Sequence, residues 1–210
     1  MFHKLRLISL TTVVALLCAA SMAMAFVTRE SPRLANPSQA QRTSLDAGNP
    51  IVSARRAEFN RGEVYGTIDA PPEKVWAVIY DYDRMKEWYP DMLKSKVLSR
   101  AEGMGTVEGG IKMPSIFSNK TYHLEIRYSE RQVEGQKAYI AEFNYIKDSG
   151  NMGDMYGYWL VYENPAKPGT SIVKYVVNAD LAVWMPDFVL RWAQSKMLPG
   201  IIKGIRGRVK

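Results

Sequence analysis

Gly66-Thr67-Ile68-Asp69-Ala70-Pro71-Pro72-Glu73-Lys74-Val75-Trp76 holds the end of a strand and the start of a helix. Val64, Gly66 and Ile68 alternate with Glu63, Tyr65 and Thr67, so the tract over 51–68 reads as strand. Asp69 to Pro72 stops it. The prolines suit a first helical turn, where a missing N–H costs nothing, and Glu73 suits the positive end of the helix dipole. Val75, Trp76, Val78 and Ile79 then give one apolar face through about Tyr80, and a second short helix is expected over 82–88, closed by Pro90.

Downstream the hydrophobic period changes to two. Tracts near 93–100, 104–113, 120–130, 135–146, 153–163 and 170–181 alternate, with Gly, Pro, Asn and Asp between them. Tyr122, Leu124, Ile126 and Tyr128 share one face of their strand, and His123, Glu125 and Arg127 the other. Tyr139, Ala141, Phe143 and Tyr145 repeat the pattern, as do Val173, Tyr175, Val177 and Ala179. One face is apolar and aromatic and the other mixed, which predicts an antiparallel sheet curved over something on one side only. The chain offers its last segment for that role. Met185-Pro186-Asp187 is a helix start, and Val189, Ala193, Met197, Ile201 and Ile205 follow at helical spacing. Pro199-Gly200 predicts a kink or local break.

At the other end, residues 1–25 order a basic start (Lys4, Arg6), an apolar run and Ala23-Met24-Ala25, the layout of a secretory signal peptide cut before Phe26. The run is shorter than the roughly 20 residues that span a bilayer. Leu17 precedes Cys18 where a lipidation signal has a small residue. Residues 26–49, rich in Ser, Pro, Asn, Gln and Ala, read as a flexible leader, and 50–210 as the folded domain. The expected location is therefore exported, periplasmic or secreted.

Composition narrows the chemistry. A hydrophobic fraction of 47% with 11% aromatic residues describes a globular chain. The net charge of +7 includes Lys4 and Arg6, and the remainder is too modest to indicate nucleic acid. After cleavage no cysteine remains, and His123 is the one histidine. Metal and nucleophilic sites built on those residues are disfavoured, no cofactor is expected, and the chain reads as a non-enzyme.

Strand, two short helices, six strands and a long C-terminal helix is the order of the α+β helix-grip fold. The residues resemble the START (StAR-related lipid transfer) and polyketide cyclase/dehydrase superfamily. The resemblance rests on Gly66 to Trp76, Asp81-Tyr82-Asp83, Glu87-Trp88-Tyr89-Pro90-Asp91, Met113 to Lys120 and Trp184-Met185-Pro186-Asp187-Phe188, and spans about 50–208. Lys120 and Thr121 stand where START domains close an Asn-Arg-Asp segment. The resemblance implies a curved sheet gripping the long helix, with a hydrophobic ligand between them.

Ile111, Met113, Tyr122, Leu124, Ile126, Tyr139, Phe143, Tyr145, Tyr175, Val189, Ala193 and Met197 are the expected cavity lining. Each aromatic is equally explained as core filling. Met113, Pro114, Ile116 and Phe117, at a hairpin tip flanked by Lys112 and Lys120, form a candidate gate or a loop that touches an anionic membrane. The alternative is a loop folded onto its own domain. His123 shares a face with charged neighbours rather than with the apolar set. Asp81, Asp83, Glu87 and Asp91 lack the spacing of a calcium loop, and Gly103, Gly105, Gly109 and Gly110 lack the lysine of a phosphate loop. The expected function is binding and transfer of a lipid or hydrophobic metabolite such as a sterol, hopanoid, phospholipid, quinone or carotenoid. The rival is an aromatase/cyclase-like enzyme in the same cavity, which requires an inward Arg or carboxylate paired with a tyrosine. A third reading, an interaction module, predicts a filled core.

Overall fold

A computed structural model describes residues 26–56 and 58–209. The segment assigned to export, with Cys18, lies outside the described residues. Helix α1 (Gln39–Asp46) leads into a hairpin of β1 (Ile51–Arg55) and β2 (Asn60–Ile68). Helix α2 (Pro72–Tyr80) and a 3-10 turn (Tyr82–Glu87) carry the chain to the far edge of the sheet. From there β3 (Met92–Ala101), β4 (Met104–Ile111), β5 (Lys120–Val133), β6 (Gln136–Tyr145), β7 (Asp154–Glu163) and β8 (Ser171–Asp180) meander back. The eight-stranded sheet has the order β1-β2-β8-β7-β6-β5-β4-β3, with antiparallel neighbours throughout. The last strand thus lies against the first hairpin, with Val64 opposite Tyr175.

The C-terminal segment is helix α3 (Asp187–Trp192), a π turn (Ala193–Met197) and helix α4 (Leu198–Arg208). The predicted break falls one turn before Pro199. Proline has no N–H to donate and its ring crowds the carbonyl four residues back. The backbone widens there, and the Leu198 N–H donates to the Ala193 carbonyl, five residues away. Leu198, Ile201, Ile202 and Ile205 form the apolar stripe of α4 and are fully buried against Val64, Trp159, Val161 and Val173 of the inner sheet face. Each such side chain contributes roughly 1.5–3 kcal/mol. On another side of α4, Gly204 faces the Trp88 carbonyl oxygen and Gly200 the Pro90 ring, so the helix lies directly on the loop after the 3-10 turn.

The expectation of one covered face is corrected, and so is the flexible leader. The outer face holds a second cluster, with Ile140, Tyr158, Leu160, Tyr162 and Val176 buried and Leu34 and Ala35 of the leader packed on it. Residues 26–49 run over this face as a strap. Arg29 pairs with Asp154 at 2.7 Å and sits 3.8 Å from the Tyr156 ring centre. Glu30 pairs with Arg61 at 2.6 Å and accepts from Asn178 at 2.6 Å. The Ala35 N–H donates to the Tyr162 hydroxyl at 3.0 Å. Helix α1 then starts on a Ser38–Gln41 capping box. The strap docks through single polar partners rather than a periodic stripe, which is why its composition resembles a linker.

Two of the four acidic residues considered for a cation have structural partners. Asp83 accepts from the Val97 N–H at 2.8 Å, and Glu87 pairs with Arg84 at 3.1 Å and Arg208 at 2.8 Å. His123 lies opposite Glu108 in the β4–β5 ladder, on the face away from the core, as its alternation predicted.

Candidate ligand cavity

Under the lid formed by α3 and the π turn, the sheet and lid enclose a cavity of about 110 Å³. Seven of the expected residues reach its wall: Ile111, Met113, Tyr122, Tyr175, Val189, Ala193 and Met197. A smaller lobe of about 30 Å³ carries Leu124 and Phe143, together with Tyr82, Met85 and Trp159. Ile111, Tyr89, Tyr122, Met155 and Tyr175 line both lobes and form the partition between them.

Ile126, Tyr139 and Tyr145 are corrections, since they line neither lobe. Helix α2 occupies that end of the sheet. Trp76 stacks on Tyr139 at 5.6 Å, and the Tyr139 hydroxyl donates to Glu73 at 3.2 Å. Ile126 is fully buried in the main core, and Tyr145 packs against the same core. Strand parity gave the correct face for these residues; the part of the face left uncovered by α2 was not visible in it.

Sequence reasoning also missed Tyr89, Met152, Met155 and Met185. With Met113 and Met197, three of these make the wall unusually rich in methionine, five of the eleven in the chain. Unbranched thioether side chains re-pack at small cost, so such a wall adapts to ligand shape.

The polar side chains shared by both lobes are phenols. The Tyr89 hydroxyl donates to that of Tyr175 at 3.4 Å, and Tyr122 lies flat over Gly109, where a Cβ would collide with its ring. Burial pushes Tyr89 up to about 12 and holds Tyr122 and Tyr175 well above the usual phenol range. They remain neutral hydrogen-bond donors at physiological pH. For such groups the unfolded chain ionises first, so stability is unaffected below the ordinary phenol value of about 10 and falls as pH rises beyond it. Absorbance titration at 295 nm should show the wall tyrosines ionising together with the loss of folded structure; ionisation near pH 10 in a folded chain would contradict their burial.

Among the described residues, no arginine or carboxylate hydrogen-bonds a wall tyrosine. Arg127 lies on the outer face with Glu142, and Glu108 at the inner lobe is taken by Lys94 at 2.6 Å.

The mouth is apolar. In the β4–β5 connection Met113 turns inward, Phe117 stacks on Phe188 of α3 at 6.3 Å, and Ile116 is 68% exposed. Val183 and Trp184, the latter 76% exposed, stand on the adjoining β8–α3 connection. Lys112 is exposed beside them, but Lys120 is buried and shares the inner face with Tyr122, which corrects its reading as a surface flank. Three contacts hold the lid to the β1 edge: Arg56 donates to the Met185 carbonyl and pairs with Asp187 at 2.9 Å, and Gln194 donates to the Ala54 carbonyl at 2.7 Å.

A curved antiparallel sheet closed by a C-terminal helix over an apolar cavity defines the helix-grip class of ligand-binding domain. Residues 68–206 match the family described as polyketide cyclase/dehydrase and lipid transport, and the chain belongs to that family. No curated protein matches the sequence. Among solved structures the chain is similar to the STAR-related lipid transfer protein of Xanthomonas axonopodis, with a TM-score of 0.62 at 15% identity over 83% of this chain and 96% of that one. Human StAR-related lipid transfer protein 5 gives 0.58 at 12% identity over 95% and 93%. The Zhui aromatase/cyclase of a Streptomyces species gives 0.55 at 14% identity over 75% and 94%. At these identities the likeness concerns the fold. The expected α+β helix-grip architecture and superfamily are both borne out.

Proposed function

We propose that the protein is an exported carrier that encloses a lipid or other hydrophobic small molecule in the cavity under α3 and transfers it at membrane surfaces. The observation that carries this reading is the cavity itself: apolar, methionine-rich, and roofed by a helix broken at a π turn. At about 110 Å³ it is smaller than the roughly 300–1,000 Å³ of sites that hold drug-sized ligands. Uptake therefore requires the lid to swing out, and the π turn beside Pro199 supplies a hinge. Burial then supplies affinity at roughly 25 cal/mol per Å² of apolar surface. The expected lining and gate residues take those roles here, except Ile126, Tyr139 and Tyr145.

The family also holds cyclases, and a tyrosine-lined cavity suits them too. The carrier reading is favoured because the wall phenols are neutral, Tyr89 and Tyr175 pair with each other, and among the described residues none hydrogen-bonds an arginine or carboxylate. The experiment is native mass spectrometry with organic extraction of protein from the exported fraction of its own host, followed by thermal shift with a lipid panel. A stoichiometric apolar molecule supports carriage. An empty protein that no lipid stabilises removes it.

The apolar rim of Ile116, Val183, Trp184 and Phe188 beside Lys112 and Arg191 suits contact with an anionic bilayer, each basic residue adding on the order of 1 kcal/mol. Trp184→Ala should weaken co-sedimentation with anionic vesicles by about tenfold, the loss expected when one large apolar side chain no longer enters the interface. The melting temperature should be unchanged. Equal vesicle binding by parent and variant would rule out this face.

A further inference from the structure

Lys120 is the feature that the carrier reading leaves unexplained. It is 5% exposed, stands at the start of β5 on the inner face, and lines the main cavity. Its ammonium has three protons to donate, and its hydrogen-bond acceptor among the described residues is the neutral Asn151 carbonyl at 3.2 Å. Among the described residues no salt bridge engages it. The acid whose charge acts on it is Asp180, whose Oδ1 accepts from the Ala182 N–H at 2.8 Å and which forms no ion pair with the lysine among the described residues. Desolvation accordingly lowers the lysine from its ordinary range, only partly offset by Asp180. Charged groups this deeply buried are normally paired, because the cost of removing them from water is recovered only by a counter-charge. The rest of the wall is mainly methionine, aliphatic and aromatic; its other charged residue, Arg61, is already paired with Glu30 at 2.6 Å and Glu63 at 3.1 Å, and Asn60 donates to the Ala179 carbonyl at 3.3 Å.

We infer that Lys120 is the head-group anchor of the cavity and that the ligand is a single-chain amphiphile ending in a carboxylate. This deepens the carrier reading and rests on it. The chemistry of the anchor selects the head group: one ammonium with one proton given to Asn151 supplies a single positive charge and two free donors, which match the single negative charge and two oxygens of a carboxylate. The chain runs along the methionine wall toward Tyr122 and the inner lobe. The carboxylate takes the two ammonium protons that Asn151 leaves free.

The test compares decanoate with 1-decanol, which share a chain and differ in head group, by calorimetric titration of the parent protein, Lys120→Met and Lys120→Gln. The parent should bind decanoate at least about tenfold more tightly than decanol, the lower end of what a hydrogen bond to a charged group contributes. Both variants should lose this preference and keep decanol binding, with the melting temperature held or raised because a buried charge is gone. If the variants fail to fold, a second readout on the parent decides. The carboxyl carbon of labelled decanoate should remain ionised when bound at a pH at which the free acid is protonated. Equal affinities in the parent, a preference that survives in folded variants, or a bound carboxyl that protonates like the free acid would each overturn the anchor and leave the carrier reading standing. A parent that binds neither ligand, and no lipid of the panel, would overturn both.

Discussion

Gly204→Ala is expected to lower the stability of the folded chain by about 3 kcal/mol, the upper end of the usual cost of overpacking. For a chain of this length that is roughly 6–12 °C in melting temperature. Two effects compete. Alanine is the better helix former, worth about 1 kcal/mol in favour of the variant. Against it, a Cβ at 204 would fall inside the contact radius of the Trp88 carbonyl oxygen, a backbone atom that no rotamer change can move aside. One turn earlier, a Cβ at Gly200 would come 2.6 Å from the Pro90 ring, so α4 has no room to tilt away. The clash outweighs propensity. Gly207→Ala is the internal control: a Cβ there meets nothing within 4 Å, and the variant should be neutral or slightly stabilised. Thermal melts of both variants check the seating of α4, and a Gly204 variant as stable as the parent would show that the helix does not lie on that loop.

Arg127→Ala should cost about 2–3 kcal/mol. Glu142, on the outer face, is 2% exposed, and Arg127 grips its Oε2 through Nε and Nη2. Removing one partner of a buried pair typically costs about 3–5 kcal/mol, since the other charge stays desolvated. Arg131 remains at 3.4 Å and softens the loss, and Arg127 is itself 30% exposed, so the lower figure applies. The same substitution frees the strap, because the Arg127 guanidinium also donates to Thr28 and covers the Phe26 ring. The double variant Arg127→Ala/Glu142→Gln should recover much of the stability by removing the stranded charge. Urea unfolding of the single and double variants separates the terms, and a double variant no more stable than the single one would assign the loss to the strap.

Both expectations rest on contacts that no local pattern announces, and this marks how far the sequence could be read. Strands β5, β6 and β8 were legible because Tyr122, Phe143 and Tyr175 alternate with polar neighbours. The lid was legible from Met185-Pro186-Asp187 and the stripe ending in Ile205. The strap was not, because Arg29, Glu30 and Ala35 each meet a partner far away in the chain. The cavity wall was half legible: parity assigned the inner face, but the cover supplied by Trp76 over Tyr139 is a matter of helix placement. Lys120 was misread from its residue type, although it shares the parity of Tyr122 and Leu124. Where parity and residue type disagree, as at this lysine, the disagreement is itself the signal for a site.

The strand order has a consequence for the time course of folding. Strands β3 to β8 pair with immediate sequence neighbours, so each hairpin can form as soon as its two arms exist. The β1–β2 hairpin takes its other sheet partner from β8, and the strap rests on residues of β7 and β8. Long-range pairing of this kind forms late, because a large chain loop must close before any contact is gained. The first forty or so residues after the strap begins are thus the last to be ordered, and under the export proposed above they stay extended while the chain is still being threaded.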